Sequence, residues 1–237
     1  MAYVSNKETN FPTIAGKDFD EFERLSAIHK DGWGIVTKDG AVIKDFHAAV
    51  DTPSFHQTLL DNNATASLLH FRWATSGLSV KTENAHPFVS GEYSFIHNGA
   101  VNPPDALDKL IAAEYLEKVT GTTDSEKYFL LVVQEINKYG LIEGIKSALK
   151  IIKDNAEYSS INAMLMTPEK LIVINEHENS KRPSDQPEDY YELKFREGSD
   201  GVVVASSGWN QEGWHEVPNH SLMVIDRATQ THTFQAI

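Results

Sequence analysis

Cysteine is missing altogether from the 237 residues. Its absence rules out disulfides, thiolate metal ligation and, in the chain as written, a cysteine nucleophile. Cations are also in the minority, with 21 Lys and Arg against 34 Asp and Glu and a formal net charge of -13. Phosphate backbones are held by clustered Lys and Arg, so nucleic acid is not an expected partner. No apolar run approaches the roughly 18 residues of a membrane span. The opening Met1-Ala2-Tyr3-Val4-Ser5-Asn6-Lys7-Glu8 has neither the basic nor the apolar region of a signal peptide. These absences point to a cytoplasmic protein with no membrane partner. With no internal repeat and no separating linker, a single domain over residues 1–237 is expected.

What is present centres on the stretch from Leu68 to Gly99. His70-Phe71-Arg72-Trp73-Ala74-Thr75-Ser76-Gly77 is followed by Asn84-Ala85-His86-Pro87-Phe88 and then by Phe95-Ile96-His97-Asn98-Gly99. Leu68 to Phe71 and Tyr93 to Ile96 have the length of short buried strands, each ending in polar residues where a strand hands over to a loop. One cation, two hydroxyls, an amide and two glycines then lie at neighbouring strand ends. That set suits a small anionic substrate with a developing oxyanion.

Elsewhere the pattern changes along the chain. The first fifteen residues are polar and predict no element beyond a short strand at Ala2-Tyr3-Val4, so this end reads as incomplete. Phe19, Phe22, Leu25 and Ile28 share one helical face, with acids early in the helix as its dipole favours. Trp33 to Val36 and Ala41 to Phe46 flank the turn Lys38-Asp39-Gly40 as a hairpin. The glycines around Trp33 fit either turn chemistry or close approach at a site. Asp51 to Asn63 predicts a short helix starting near Thr52-Pro53. Leu107, Leu110, Ile111 and Tyr115 continue a helical pattern, and Tyr128 to Ile136 and Leu141 to Ile152 give two more helices. Asp124 or Ser125 suits a helix cap, so Asp124 is open between cap and ligand contact. The last third turns strand-like at Ile161 to Met166, Leu171 to Asn175, Tyr191 to Phe195, Val202 to Ala205, Leu222 to Ile225 and Thr231 to Phe234. A polar loop spans Glu178 to Asp189. Strands and helices, then helices, then strands indicate an α/β or α+β domain with layered sheets.

Taken together, Arg72-Trp73-Ala74-Thr75, Asn84-Ala85-His86-Pro87, His97-Asn98-Gly99 and Thr123-Asp124-Ser125-Glu126 resemble the class II glutamine amidotransferases of the N-terminal-nucleophile hydrolase superfamily. The likeness is to the small stand-alone members, which share the His-x-Asp-Gly-Trp-Gly segment found at His29 to Gly34. The resemblance implies an α+β fold of four layers, αββα, with two antiparallel sheets between helices. It implies cleavage of the γ-amide of glutamine or a γ-glutamyl compound, without a cofactor or metal. A separate ammonia-accepting enzyme is then a possible partner.

The same resemblance implies the site. Arg72 grips the substrate α-carboxylate with help from Thr75 and Ser76, Asp124 pairs with its α-ammonium, and His86 supports the pocket. Asn98 and the Gly99 backbone N–H form the oxyanion hole. The family nucleophile, a cysteine at residue one whose own amine is the base, is absent here, either because residues upstream of Ala2 are missing or through genuine loss. No internal residue replaces it, since Ser5 lacks an adjacent free amine. The chain as written is therefore expected to bind without turning over. Three alternatives compete with this: an unremarkable α/β domain, a metal-dependent hydrolase using some of the 10 His, and a regulatory module with the same pocket. His70, His86, His97, His215 and His220 match no helix-borne ligand pair.

Overall fold

Strand after strand alternates between two apolar faces, and that alternation builds the molecule in layers. A computed structural model describes residues 1–74 and 79–237. Its first half contains β1 (Ala2–Thr9), α1 (Phe11–Ala15), α2 (Lys17–Arg24), β2 (Trp33–Val36), β3 (Val42–Asp45), α3 (Phe55–Asp61), β4 (Ala64–Phe71), β5 (Phe88–Ser90) and β6 (Tyr93–Asn102). Next come α4 (Ala113–Leu116), α5 (Asp124–Tyr139) and α6 (Leu141–Asn155). The strands β7 (Glu157–Met166), β8 (Lys170–Asn175), β9 (Leu193–Gly198), β10 (Gly201–Ser206), β11 (His215–Glu216), β12 (Ser221–Asp226) and β13 (His232–Ala236) complete it. One antiparallel sheet runs β11-β9-β10-β1-β4-β2-β3 and the other β13-β12-β8-β7-β6-β5.

On β1, Ala2 and Val4 point between the sheets while Met1 and Tyr3 point out toward α1 and α2. On β7, Met164 and Met166 point inward while Ile161, Ala163 and Leu165 point out toward α5 and α6. This period of two gives every central strand one face for the sandwich and one for a helical layer. The result is the four-layer αββα arrangement, held by an inter-sheet core and two helix-on-sheet cores. Among the described residues no helix is long and apolar enough to cross a membrane.

Helix α5 is buried on nearly all sides, from Asp124 through Ile136. The reason is its position under α6 and over the sheet, so its apolar residues run around its circumference. Thr123 caps it by accepting from the Glu126 N–H at 3.2 Å, while the Glu126 carboxylate reaches back to Thr120 N–H and Gly121 N–H at 3.0 and 2.7 Å. Gly140, with φ 81°, both ends α5 and opens α6. Gly144 then lets α6 lie against α5, because a Cβ there would stand 2.5 Å from the Ile136 backbone. Truncating a core residue of this layer such as Leu131 to Ala costs about 2–5 kcal/mol.

Several expectations are corrected. The opening is a full central strand, β1, followed by the helix α1, where no element beyond Ala2-Tyr3-Val4 was expected. The second half of β1, Ser5 to Glu8, is a poor strand sequence held between paired ends: β10 pairs as far as Ser5, and β4 pairs up to Val4 and again at Thr9, with a register shift between. Ile28 lies past the end of α2 and is 58% exposed, so it leaves the helical face it was placed on. Leu107 to Tyr115 forms turns and the short α4 instead of a continuous helix, although Leu107 and Ile111 are buried. Thr123, not Asp124 or Ser125, caps α5. The hairpin of β2 and β3 and the six C-terminal strands stand near their expected places, with β11 unforeseen.

Candidate active site

Parity along the strands decides which site residues meet. On β4, His70 follows Leu68 onto the inner face, and on β6, Asn98 follows Ile96 onto the inner face opposite. They meet across the sandwich, with His70 Nε2 3.0 Å from Asn98 Oδ1. Neighbouring strand ends were expected, but β4 and β6 belong to facing sheets, and Asn98 and Gly99 lie inside β6, which runs on to Asn102. His97, of opposite parity, points outward, where its Nδ1 meets Ser125 Oγ at 2.9 Å and its Nε2 the Ser160 carbonyl at 3.4 Å.

Burial holds these histidines neutral. His70 is pushed down to about 3, by burial first and by the nearby N-terminal amine second. His86 is lowered well below its usual value, and His97 is lowered although the Asp124 carboxylate opposes the shift. The His86 ring lies 4.2 Å from that of His70 and 4.7 Å from that of Phe88. Among the described residues, neither of its ring nitrogens, nor His70 Nδ1, has a hydrogen-bond partner. His86 thus forms a wall of the site with unspent polar capacity.

Arg72 follows the end of β4 and is fixed by its backbone, donating N–H to Gly32 O at 2.8 Å and accepting from Asp31 N–H at 3.0 Å. The residue is 3% exposed, yet among the described residues its side chain reaches only the carbonyls of Asp31 and Ser79, at 3.5 and 3.4 Å. Burial lowers its pKa, with Asp31 opposing. A buried guanidinium so thinly partnered is costly unless an anion joins it. Asp124 opens α5 and is also buried; its Oδ2 accepts from Val101 N–H at 2.8 Å. Asn84 links the two anchors, donating to Ser79 O at 3.0 Å and accepting from Thr122 N–H at 2.8 Å. Thr75 and Ser76 lie outside the described residues.

Gly99 is required for steric reasons. Its φ is 144°, and a Cβ would fall 1.9 Å from Ser160 O. Ser160 also donates its hydroxyl to Asn98 O at 2.9 Å, so one residue of β7 fixes both members of the Asn98-Gly99 pair. His70, His97, Asn84 and Ser160 were not singled out as site residues from the sequence. For His70, Asn84 and His97 the signal available was the quoted segment each sits in, while Ser160 lies in none of them.

These groups share one cleft of about 690 Å³, lined by His70, Arg72, His86, Asn98, Gly99 and Asp124 among others. Beneath it is a recess of about 20 Å³ where Met1 meets His70, Asn98 and Met164. The Met1 α-amine donates to Leu69 O at 2.8 Å, and burial lowers its pKa to about 5, so it is a free base at neutral pH. Ser5 is far down β1 with its hydroxyl given to Asp200 O. No group of three or more His, Asp or Glu among the described residues is arranged to hold a metal.

Two antiparallel sheets between helical layers define the fold of the N-terminal-nucleophile hydrolases, and solved structures share it. A glutamine aminotransferase class-II domain protein from Silicibacter pomeroyi aligns with TM-score 0.69 at 18% identity, covering 99% of this chain and 97% of its own. The allosteric regulatory enzyme of purine biosynthesis aligns with TM-score 0.70 at 18% identity, covering 99% of this chain and 48% of its own. The family model of class-II glutamine amidotransferases matches residues 1–236, and the chain belongs to that family. Among relatives, the probable glutamine amidotransferase DUG3 of Saccharomyces cerevisiae is 24% identical over 276 residues, covering 92% of this chain and 76% of the relative. A glutamine–fructose-6-phosphate aminotransferase of Buchnera aphidicola is 36% identical over 110 residues, covering 45% of this chain and 17% of the relative.

Proposed function

We propose that the cleft binds glutamine or a γ-glutamyl amide by its amino-acid head. Arg72 takes the α-carboxylate and Asp124 the α-ammonium, with Thr75 and Ser76 assigned to the same end of the ligand. The γ-carbonyl oxygen then lies at the Asn98 amide and the Gly99 N–H, against the wall formed by His86. The observation that carries this reading is the buried Arg72, without a carboxylate of its own among the described contacts, sharing one cleft with Asp124 and Asn98. An ammonia-accepting partner enzyme belongs to the same proposal.

The reacting group is the second part of the proposal. Acyl transfer in this fold needs a nucleophile beside the oxyanion donors, and the residue of this chain that borders the recess at the start of β1 is Met1, whose side chain is a thioether. A thioether carries no proton to release and forms no acyl intermediate that can hydrolyse. The chain as written therefore binds its ligand and leaves it intact. A ligand-binding or regulatory module with the family pocket is the second reading, and the same lack of cysteine favours it. Calorimetry with glutamine, followed by assay for released ammonia, tests both parts. Binding without ammonia is the expected result, and measurable turnover by pure protein overturns it.

A further inference from the structure

The cleft is larger than an amino-acid head requires. At about 690 Å³ it falls within the roughly 300–1,000 Å³ range of pockets that enclose drug-sized molecules. Another wall, reached through Asn162 beside Asn98, is made of Pro183, Pro187, Tyr190 and Tyr191, with Gln186 and Ser207 as uncharged polar groups. The segment that carries this wall was read as a polar loop, but it is anchored. Ser207 Oγ donates to Tyr190 O at 3.0 Å, Asn162 Nδ2 to Tyr191 O at 2.6 Å, and the Arg182 guanidinium to Gln186 O. The two tyrosine rings are consequently presented together, 5.0 Å apart at 58°.

Charge is the second observation. Among the described residues lining the cleft, Arg72 and Asp124 are the charged side chains, and both stand at the amino-acid head. The four residues outside the description, Thr75-Ser76-Gly77-Leu78, carry no charge either. Burial keeps His29, His86 and His97 neutral, so none of them adds a cation. A ligand with a second carboxylate finds no cation besides Arg72 among the described residues that line the cleft, the Arg182 guanidinium being spent on the Gln186 carbonyl, and an unpaired carboxylate taken out of water is strongly disfavoured. An uncharged ring finds two tyrosines and two prolines, and aromatic pairs contribute about 0.5–1.5 kcal/mol beyond area burial.

We propose that this arm of the cleft recognises the amine side of the ligand, and that its ligands are γ-glutamyl amides of uncharged, aromatic amines in preference to free glutamine or γ-glutamyl peptides ending in a carboxylate. This rests on the head-group reading given above. Tyr190 and Tyr191 are the specificity-determining residues, with Gln186 at the rim.

Calorimetry on the full chain with glutamine, γ-glutamyl-p-nitroanilide and γ-glutamylglycine tests it. The anilide is expected to bind at least about 10-fold tighter than glutamine, matching about 1.4 kcal/mol of added contact, and γ-glutamylglycine no tighter than glutamine. Tyr190→Ala should collapse the anilide-to-glutamine ratio toward one, and Gln186→Lys, which places a cation in the arm, should favour γ-glutamylglycine. Equal affinities for glutamine and the anilide, or tighter binding of γ-glutamylglycine by the unaltered chain, would overturn the inference while leaving the head-group reading standing. Failure of all three ligands to bind, or indifference to Arg72→Ala, would instead sink the head-group reading and this one with it.

Discussion

His70 Nε2 lies 3.0 Å from Asn98 Oδ1 across the space between the two sheets. Because burial keeps the imidazole neutral, a proton on Nε2 makes His70 the donor and fixes the Asn98 oxygen toward it. The Asn98 NH₂ is then the group turned to the cleft, as an oxyanion donor needs. His70 positions Asn98 and does not itself touch the ligand in this scheme.

Restoring the nucleophile tests this geometry. Met1→Cys, made with a removable initiator Met so that the cysteine becomes residue one, is expected to give ammonia release from glutamine. In that background Asn98→Ala should lower kcat by on the order of 10²–10³ with KM little changed. His70→Ala should also lower kcat more than it changes KM. A confirmed N-terminal cysteine that binds glutamine and stays inert would refute the placement of the recess.

The anchors predict a different signature. Arg72→Ala and Asp124→Asn should each weaken glutamine binding in the unaltered N-terminal background, by about 10-fold or more, as expected for a charge-assisted contact of about 1.5–3 kcal/mol. Asn98→Ala should bind nearly as the parent does. Equal losses in all three variants would mean general damage to the cleft, so circular dichroism and thermal midpoints belong beside the titrations.

Acid should destabilise the fold through its buried histidines. His70 has a folded pKa of about 3 against an unfolded value of 6.5, and His86 and His97 shift the same way. The folded state therefore binds fewer protons than the unfolded one. Stability is held above pH 6.5 and lost as pH falls below it, at about 1.4 kcal/mol per pH unit for each such group. Urea unfolding at pH 7 and pH 5 should show a loss of about 2 kcal/mol from His70, with His86 and His97 adding in the same direction. His86→Phe, which replaces an imidazole lacking partners among the described residues with an apolar ring, should flatten that slope, and an unchanged slope would exclude His86 as a contributor.

Gly99→Ala should fail structurally before it fails functionally. A Cβ would sit 1.9 Å from the Ser160 carbonyl at a φ that side chains rarely adopt. A cost of at least about 3 kcal/mol follows from the combined clash and strain. Denaturation midpoints would measure it, and a near-parental midpoint would show that β6 and β7 can separate locally.

Much of this molecule was legible in its residues, and the illegible parts have physical reasons. The β2–β3 hairpin and the C-terminal strands carry turn chemistry and β-branched runs that declare themselves locally. Residues Ser5 to Glu8 do not, because their extension follows from the pairing before and after them, with β10 as far as Ser5 and with β4 at Val4 and Thr9. Leu107 to Tyr115 shows helical spacing, yet the spacing reports burial of Leu107 and Ile111 under α5 and not a helix. In the site, Arg72, Asn98 and Asp124 were found through motifs, which specify chemistry one residue at a time. His70 as the partner of Asn98 depends on strand parity in two sheets that face each other, and no local pattern encodes which sheet a strand joins.

The hairpin of α5 and α6 gives the ligand anchor a mechanical character. Asp124 sits at one tip of a rod of 16 residues, about 24 Å long, whose other end rests on Gly144 through Ile136. Such a rod works as a lever, since a tilt of about 5° displaces its tip by about 2 Å, enough to pull a carboxylate out of hydrogen-bond reach. A Cβ at Gly144, 2.5 Å from the Ile136 backbone, would press on the end of that rod opposite Asp124.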